Sequence, residues 1–166
     1  MWTAVSIGLL VFVPMVIEAR RAALNERAQR ARGGVEPAGD VYALMQVAYP
    51  AAFLVMIADG WAHGVVPGPL FVAGLVVFAA AKALKWWAIL SLGPCWTFRV
   101  VVVPGSPLVA DGPYKWLRHP NYVAVIGELA GVVLMTQSFV IGTVLTVLFG
   151  WLILNRIAVE QHALLS

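Results

Sequence analysis

Five apolar stretches, over residues 2–17, 41–57, 69–90, 122–135 and 139–154, constrain this chain more than any other feature of its sequence. A helix rises about 1.5 Å per residue and needs roughly 20 apolar residues to cross the hydrocarbon core of a bilayer. The stretches approach that length, and Pro50 inside the second is a kink that membrane helices tolerate. Only 11% of the residues are charged and 61% are hydrophobic, where a soluble domain carries roughly 25% charge. A soluble fold of 166 residues could not cover that much apolar surface. The same composition excludes disorder, and a single cysteine, Cys95, excludes a disulfide scaffold. The expected class is an all-α membrane protein, a bundle of about five transmembrane helices forming one structural domain. Residues 1–90 supply three N-terminal helices with an Arg-rich loop, and residues 91–166 an irregular loop, a helical hairpin and a polar C-terminal end.

Charge placement orients the bundle. No charged segment precedes the first apolar stretch and no small-residue cleavage site follows it, so it reads as a retained helix rather than a signal peptide. Glu18 to Asp40, with Arg20, Arg21, Arg27, Arg30 and Arg32, reads as a surface helix plus a loop. Lys82, Lys85 and the pair Trp86-Trp87 read as an interface anchor. Every Lys and Arg lies in this loop, in the stretch after the third span, at the C-terminus or at an adjoining helix end; residues 58–68 and 136–138 hold none. By the positive-inside rule the basic side is cytoplasmic, with the N-terminus outside and the C-terminus inside, in a cytoplasmic (inner) membrane. The net charge of +3 therefore points to anionic lipid headgroups rather than to nucleic acid.

Hydropathy breaks up over residues 91–122, which are too rich in proline to span and too apolar for a free linker. Irregular backbone at membrane level is tolerated where it is buried or lines a cavity. Arg118, His119, Tyr114 and Tyr122 crowd the mouth of the fourth span, and Pro120 suits the first turn of its helix. The free N–H groups of that turn favour an anionic group. Taken singly, Lys115, Trp116 and Arg118 are also ordinary snorkelling residues. At the end of the last span Arg156 and Glu160 are four apart and share a helix face. A helix becoming polar as it leaves the membrane would look similar, but the hairpin returns the two clusters to one level, where they can share a pocket. Glu128 reads as the one acid well inside an apolar span, flanked by Gly127 and Gly131, which permit close helix approach. It is either a substrate contact or a protonated group hydrogen-bonded to a neighbouring helix. No phosphate loop, metal-ligand spacing or nucleophile elbow is present in the sequence.

The order Gly112-x-Tyr114-x-x-x-Arg118-His119-Pro120-x-Tyr122, a helical hairpin, then Arg156-x-x-x-Glu160 resembles the isoprenylcysteine carboxyl methyltransferase family. Leu92-Gly93-x-x-Trp96-Thr97 and Pro107-Leu108-Val109 fit the same pattern, so the likeness covers about residues 85–165. The resemblance implies an integral membrane O-methyltransferase that uses S-adenosylmethionine, with its cofactor pocket on the cytoplasmic side. Carried over by motif, Ser106, Pro107, Leu108, Val109, Tyr114, His119, Pro120, Asn121, Tyr122 and Glu160 would bind the cofactor. Arg156 would hold the acceptor group, with Arg156 and Glu160 as the catalytic pair and Glu128 a further substrate candidate. Many members carry two adjacent glutamates where this chain has Glu160-Gln161, which lowers the charge on the substrate side. The acceptor implied is lipophilic and enters from the bilayer: an isoprenylcysteine-like carboxylate, or a phenolic or pyrone lipid. A non-catalytic membrane scaffold or carrier is the alternative, and a transporter centred on Glu128 is weaker because no internal repeat is present.

Overall fold

A computed structural model describes residues 2–105 and 109–165. It consists of α1 (Trp2–Ala31), α2 (Tyr42–Ala62), α3 (Pro69–Leu92), α4 (Pro120–Thr136) and α5 (Phe139–Leu165), with 3₁₀ turns at Gly93–Cys95 and Gly112–Lys115. Among the described residues the one β pairing is an isolated antiparallel bridge between Val35 and Val102. Four helices, α1, α2, α3 and α5, are long and apolar enough to cross a membrane. With 17 residues, α4 is about 25 Å long, a little under the core thickness. The chain is a multi-pass membrane protein, as its hydropathy predicts.

Local chemistry sets the helix ends. Pro69 and Pro120 begin α3 and α4, where a missing N–H leaves no intrahelical bond unmade. Gln137 adopts the left-handed conformation after α4 (φ 54°), and Ser138 Oγ donates to the Met56 carbonyl at 3.0 Å. These two residues form the tight hairpin turn expected between the last two helices. The core consists of Phe53, Met56, Phe78, Leu129, Val132 and Met135, all without appreciable solvent exposure. Along the α3–α4 seam a Cβ on Gly131 would lie 2.8 Å from Phe78, and one on Gly127 2.9 Å from Ala81. Both glycines therefore permit the close approach that their spacing suggests. Leu9, Val13, Val47, Leu54, Val72, Val76, Val144 and Leu148 face outward, as a lipid-covered surface requires.

Four sequence expectations need correction. The first helix does not end near Ile17: α1 continues through the charged segment to Ala31. Glu18, expected at the start of a surface segment, is 1% exposed. Lys82 and Lys85, expected as interface anchors, point inward, and Lys85 is 2% exposed. The four groups that sequence analysis treats separately form one cluster. Lys82 Nζ lies 2.7 Å from Glu18 and 3.0 Å from Glu128, and Lys85 Nζ 3.0 Å from Glu18 and 3.2 Å from Glu128. Tyr49 donates to Glu128 at 2.6 Å. Glu128 is thus not the one buried acid of the apolar spans, and its carboxylate meets two lysines as well as the Tyr49 hydroxyl. Two acids and two bases balance, which is how charges persist at membrane depth.

Candidate active site

Where α1, α3 and α5 end and α2 and α4 begin, the described residues surround a hollow of about 710 Å³, within the usual range for small-molecule sites. An extended segment, residues 96–102, forms one wall. Val109, Ala110 and Tyr114 form another, and the first turn of α4 and the last turns of α5 complete it. His119 occupies the N-cap position of α4, so Asn121 and Tyr122 follow in its first turn beside the free N–H groups of the helix start. The helical repeat brings Glu160 one turn beyond Arg156, on the same face of α5.

The polar groups of these elements meet. Tyr122 donates its hydroxyl to Glu160 Oε2 at 3.1 Å. His119 Nδ1 lies 3.9 Å from the same oxygen, and the His119 and Tyr122 rings stack with centroids 5.5 Å apart. Burial, and then the nearby Glu160 charge, push the Tyr114 phenol well above its ordinary range. It therefore remains a neutral hydroxyl.

A second hollow, of about 370 Å³, lies across a shared wall of Thr97, Asn121, Tyr122 and Arg156. Its other sides come from α1 (Met15, Glu18, Ala19, Ala22, Ala23, Glu26), from α2 as far as Tyr49 and Pro50, and from Lys85, Val125 and Phe149. Arg156 is 7% exposed. It donates through Nη2 to the Phe98 carbonyl, and lies 3.9 Å from Asp40 and 5.9 Å from the Tyr42 ring centroid. Two buried atoms of the shared wall, Asn121 Oδ1 and Arg156 Nε, have no hydrogen-bond partner among the described residues. Buried polar atoms are rarely left so, and here both belong to residues that line both hollows.

Of the residues picked out by motif, Val109, Tyr114, His119, Asn121, Tyr122, Arg156 and Glu160 line the larger hollow, together with Gln161. Pro120 is buried and shapes the turn without lining the hollow. Ser106, Pro107 and Leu108 lie outside the described residues. Glu128 lines neither hollow; its carboxylate meets Tyr49, Lys82 and Lys85, and of this cluster Glu18, Tyr49 and Lys85 line the second hollow.

Sequence reasoning missed the part played by the connection between α1 and α2, which it leaves as an Arg-rich loop on the lipid surface. The Asp40 carboxylate accepts from the Tyr42 and Val100 N–H groups, each at 3.0 Å. Glu36 accepts from Arg30 and Arg99, each at 2.6 Å, and Val35 exchanges backbone hydrogen bonds with Val102. This connection straps the 96–102 wall in place. Burial pushes the Glu36 carboxyl up, but the hydrogen bonds from Arg30 and Arg99 outweigh it and hold Glu36 below its ordinary 4.5. Acids placed among arginines in the 26–40 segment were the available signal. Among the described residues no group of three or more His, Cys, Asp or Glu could hold a metal ion.

The sequence profile of the isoprenylcysteine carboxyl methyltransferase family matches residues 72–166. The chain is 30% identical over 155 residues to the uncharacterized protein YpbQ of Bacillus subtilis, covering 93% of this chain and 92% of that protein. It is 24% identical over 141 residues to an uncharacterized protein of Haemophilus influenzae, covering 84% and 82%. No solved structure matches.

Proposed function

The chain belongs to the isoprenylcysteine carboxyl methyltransferase family, and from that premise we propose that it methylates an oxygen of a lipophilic acceptor, using S-adenosylmethionine, at the cytoplasmic face of the inner membrane. The observation that carries the reading is the shared wall. A hollow lined by Tyr114, His119 and Glu160 meets a second one between the helices at Asn121, Tyr122 and Arg156, with two atoms there left without hydrogen bonds among the described residues. That pairing suits a polar cofactor on one side and a greasy acceptor on the other.

The larger hollow fits the cofactor by size and by donor set. When bound, S-adenosylmethionine supplies an electrophilic methyl group on a positive sulfur. Glu160 would answer the ammonium or the ribose hydroxyls. His119 and the N–H groups opening α4 would answer the carboxylate. The faces of Tyr114 and Tyr122 favour the positive sulfur, and Trp96 with Val100, Val101 and Val102 offers apolar cover to the adenine. In-line methyl transfer requires mainly alignment and exclusion of water. Arg156 would hold the acceptor oxygen at the junction and stabilise its negative charge. The acceptor is an isoprenylcysteine-like carboxylate or a phenolic or pyrone lipid, entering from the bilayer through the second hollow. The absence of Lys and Arg from the loops at residues 58–68 and 136–138 supports the orientation, with the N-terminus outside and the C-terminus cytoplasmic.

Calorimetry of the detergent-purified protein with S-adenosylhomocysteine tests the proposal: saturable binding is expected, and a folded sample that gives none rejects it. Mass spectrometry of lipid extracts from cells with and without the protein then identifies the acceptor as a species gaining one methyl group. A non-catalytic scaffold or carrier would keep its biological output after His119→Ala and Glu160→Ala.

A further inference from the structure

Helix α1 turns a polar stripe toward the bundle. Glu18, Ala22, Asn25 and Gln29 recur at steps of four, three and four, so they share one helix face. Glu18 joins the ion cluster, and Ala22 packs with Ile89 and Trp96. Asn25 and Gln29 reach past the end of α3. Gly93, with φ 53°, terminates that helix, and the backbone beyond it makes a single 3₁₀ turn closed by a long bond from the Trp96 N–H to the Gly93 carbonyl, 3.3 Å. Side-chain amides from α1 reinforce the turn. Asn25 Nδ2 donates to the Gly93 carbonyl at 3.1 Å and to the Trp96 carbonyl at 2.7 Å, and Gln29 Nε2 donates to the Pro94 carbonyl at 2.9 Å.

This turn is where the wall of the larger hollow begins. Cys95, Trp96 and Thr97 line that hollow, and the wall continues through Val102. Neither Asn25 nor Gln29 lines either hollow, and both fall outside the family match over residues 72–166. We infer that Asn25 is a positioning residue for the cofactor hollow: by clamping the Gly93 and Trp96 carbonyls to α1, it fixes the turn from which the 96–102 wall starts and so sets cofactor affinity. The inference rests on the reading of that hollow as the methyl-donor site. Without the clamp the turn spends part of its time with the wall displaced, and apparent affinity falls in proportion to the competent fraction.

Asn25→Asp sets a carboxylate against the two carbonyls at nearly unchanged shape, and Asn25→Leu removes the donor. Asn25→Gln keeps an amide. Two readouts apply to the purified full chain. One is the calorimetric affinity for S-adenosylhomocysteine. The other is the rate at which a maleimide labels Cys95, the single cysteine of the sequence, which is exposed on the wall of the same hollow. In wild type the ligand should slow labelling. Asn25→Asp and Asn25→Leu should weaken affinity about tenfold and label faster without ligand, while Asn25→Gln stays within about threefold of wild type. Val11→Ala, a cavity in the α1 core away from the turn, should lower the melting temperature and leave affinity unchanged.

Asn25 variants that melt earlier but bind as wild type overturn the inference, because the clamp would then serve stability alone. Equal loss of affinity in Val11→Ala overturns it too, by making the effect general. Should Asn25→Asp fail to fold, Asn25→Leu against Asn25→Gln decides. A wild type that neither binds the ligand nor protects Cys95 is a distinct result, and it removes the methyl-donor reading together with the inference built on it.

Discussion

Glu18, Glu128, Lys82 and Lys85 meet in four ion pairs of 2.7–3.2 Å, so that each charge has two opposite partners, whereas among the described residues Arg156 and Glu160 each come no closer than 3.9 Å to an opposite charge. Both clusters set glutamate among basic side chains, lysine in one and arginine in the other, and Glu160 is the more exposed member at 31%. The intramembrane cluster joins α1, α3 and α4, with α2 attached through Tyr49, and its charges cancel. The cluster at the basic end is less complete: among the described residues Glu160 receives one tyrosine hydroxyl, and Arg156 Nε has no hydrogen bond, whereas Glu128 Oε1, which also has none, still faces Lys85 Nζ at 3.2 Å. A buried charge fully answered by protein holds helices together. One that is only partly answered keeps capacity for a further partner, which is what the proposed site requires.

The largest effect should come from breaking the complete cluster. Lys85→Leu or Glu128→Leu alone leaves a charge uncompensated and should lower unfolding free energy by about 3–5 kcal/mol. Removing both should recover at least half, measured by denaturant unfolding in detergent. If each single variant is as stable as wild type, the two clusters do not differ as described. The next effect belongs to the incomplete cluster. Arg156→Lys keeps a cation but loses the planar fork, and should reduce turnover about 100-fold, or about 2.7 kcal/mol. Affinity for S-adenosylhomocysteine should change little, and the reverse pattern would reassign Arg156 to the cofactor.

Glu160→Gln should weaken S-adenosylhomocysteine about tenfold, equivalent to about 1.4 kcal/mol, without moving the unfolding midpoint. A lower midpoint with unchanged affinity would place Glu160 with the structural cluster instead. The smallest effect concerns the strap. Glu36 is held below its ordinary 4.5 in the folded protein, so its contribution is present above that pH and is lost as pH falls through the lower folded value. Acid unfolding of Glu36→Gln should accordingly show a shallower loss of stability than wild type below about pH 4.5.

Much of the basic-end site was legible because its residues are close in sequence or joined by a short hairpin. His119, Asn121 and Tyr122 sit in one helical turn, and Arg156 and Glu160 are one turn apart. The remaining members of the wall contribute through backbone or through distant partners. Val100 is held by Asp40, 60 residues away, and the Trp96 carbonyl by Asn25, 71 residues away. No local pattern announces such pairings. Glu18 was misread for a related reason: a charge at the edge of an apolar stretch marks the membrane surface unless an opposite charge waits at the same depth. Lys82 and Lys85, three apart on one face of α3, were that missing sign.

Hydropathy, proline positions and the turn at residues 136–138 determined the helices, their alternation and the level at which polar side chains gather, since these depend on neighbours along the chain. Only the folded bundle decided which charges are consumed by each other and which stay available. Lys82 and Glu18, 64 residues apart, form an ion pair that exists because α1 and α3 pack at one register. A shift of a single turn, about 5.4 Å, would part Glu18 from Lys82 and leave the Glu18 charge unanswered inside the membrane.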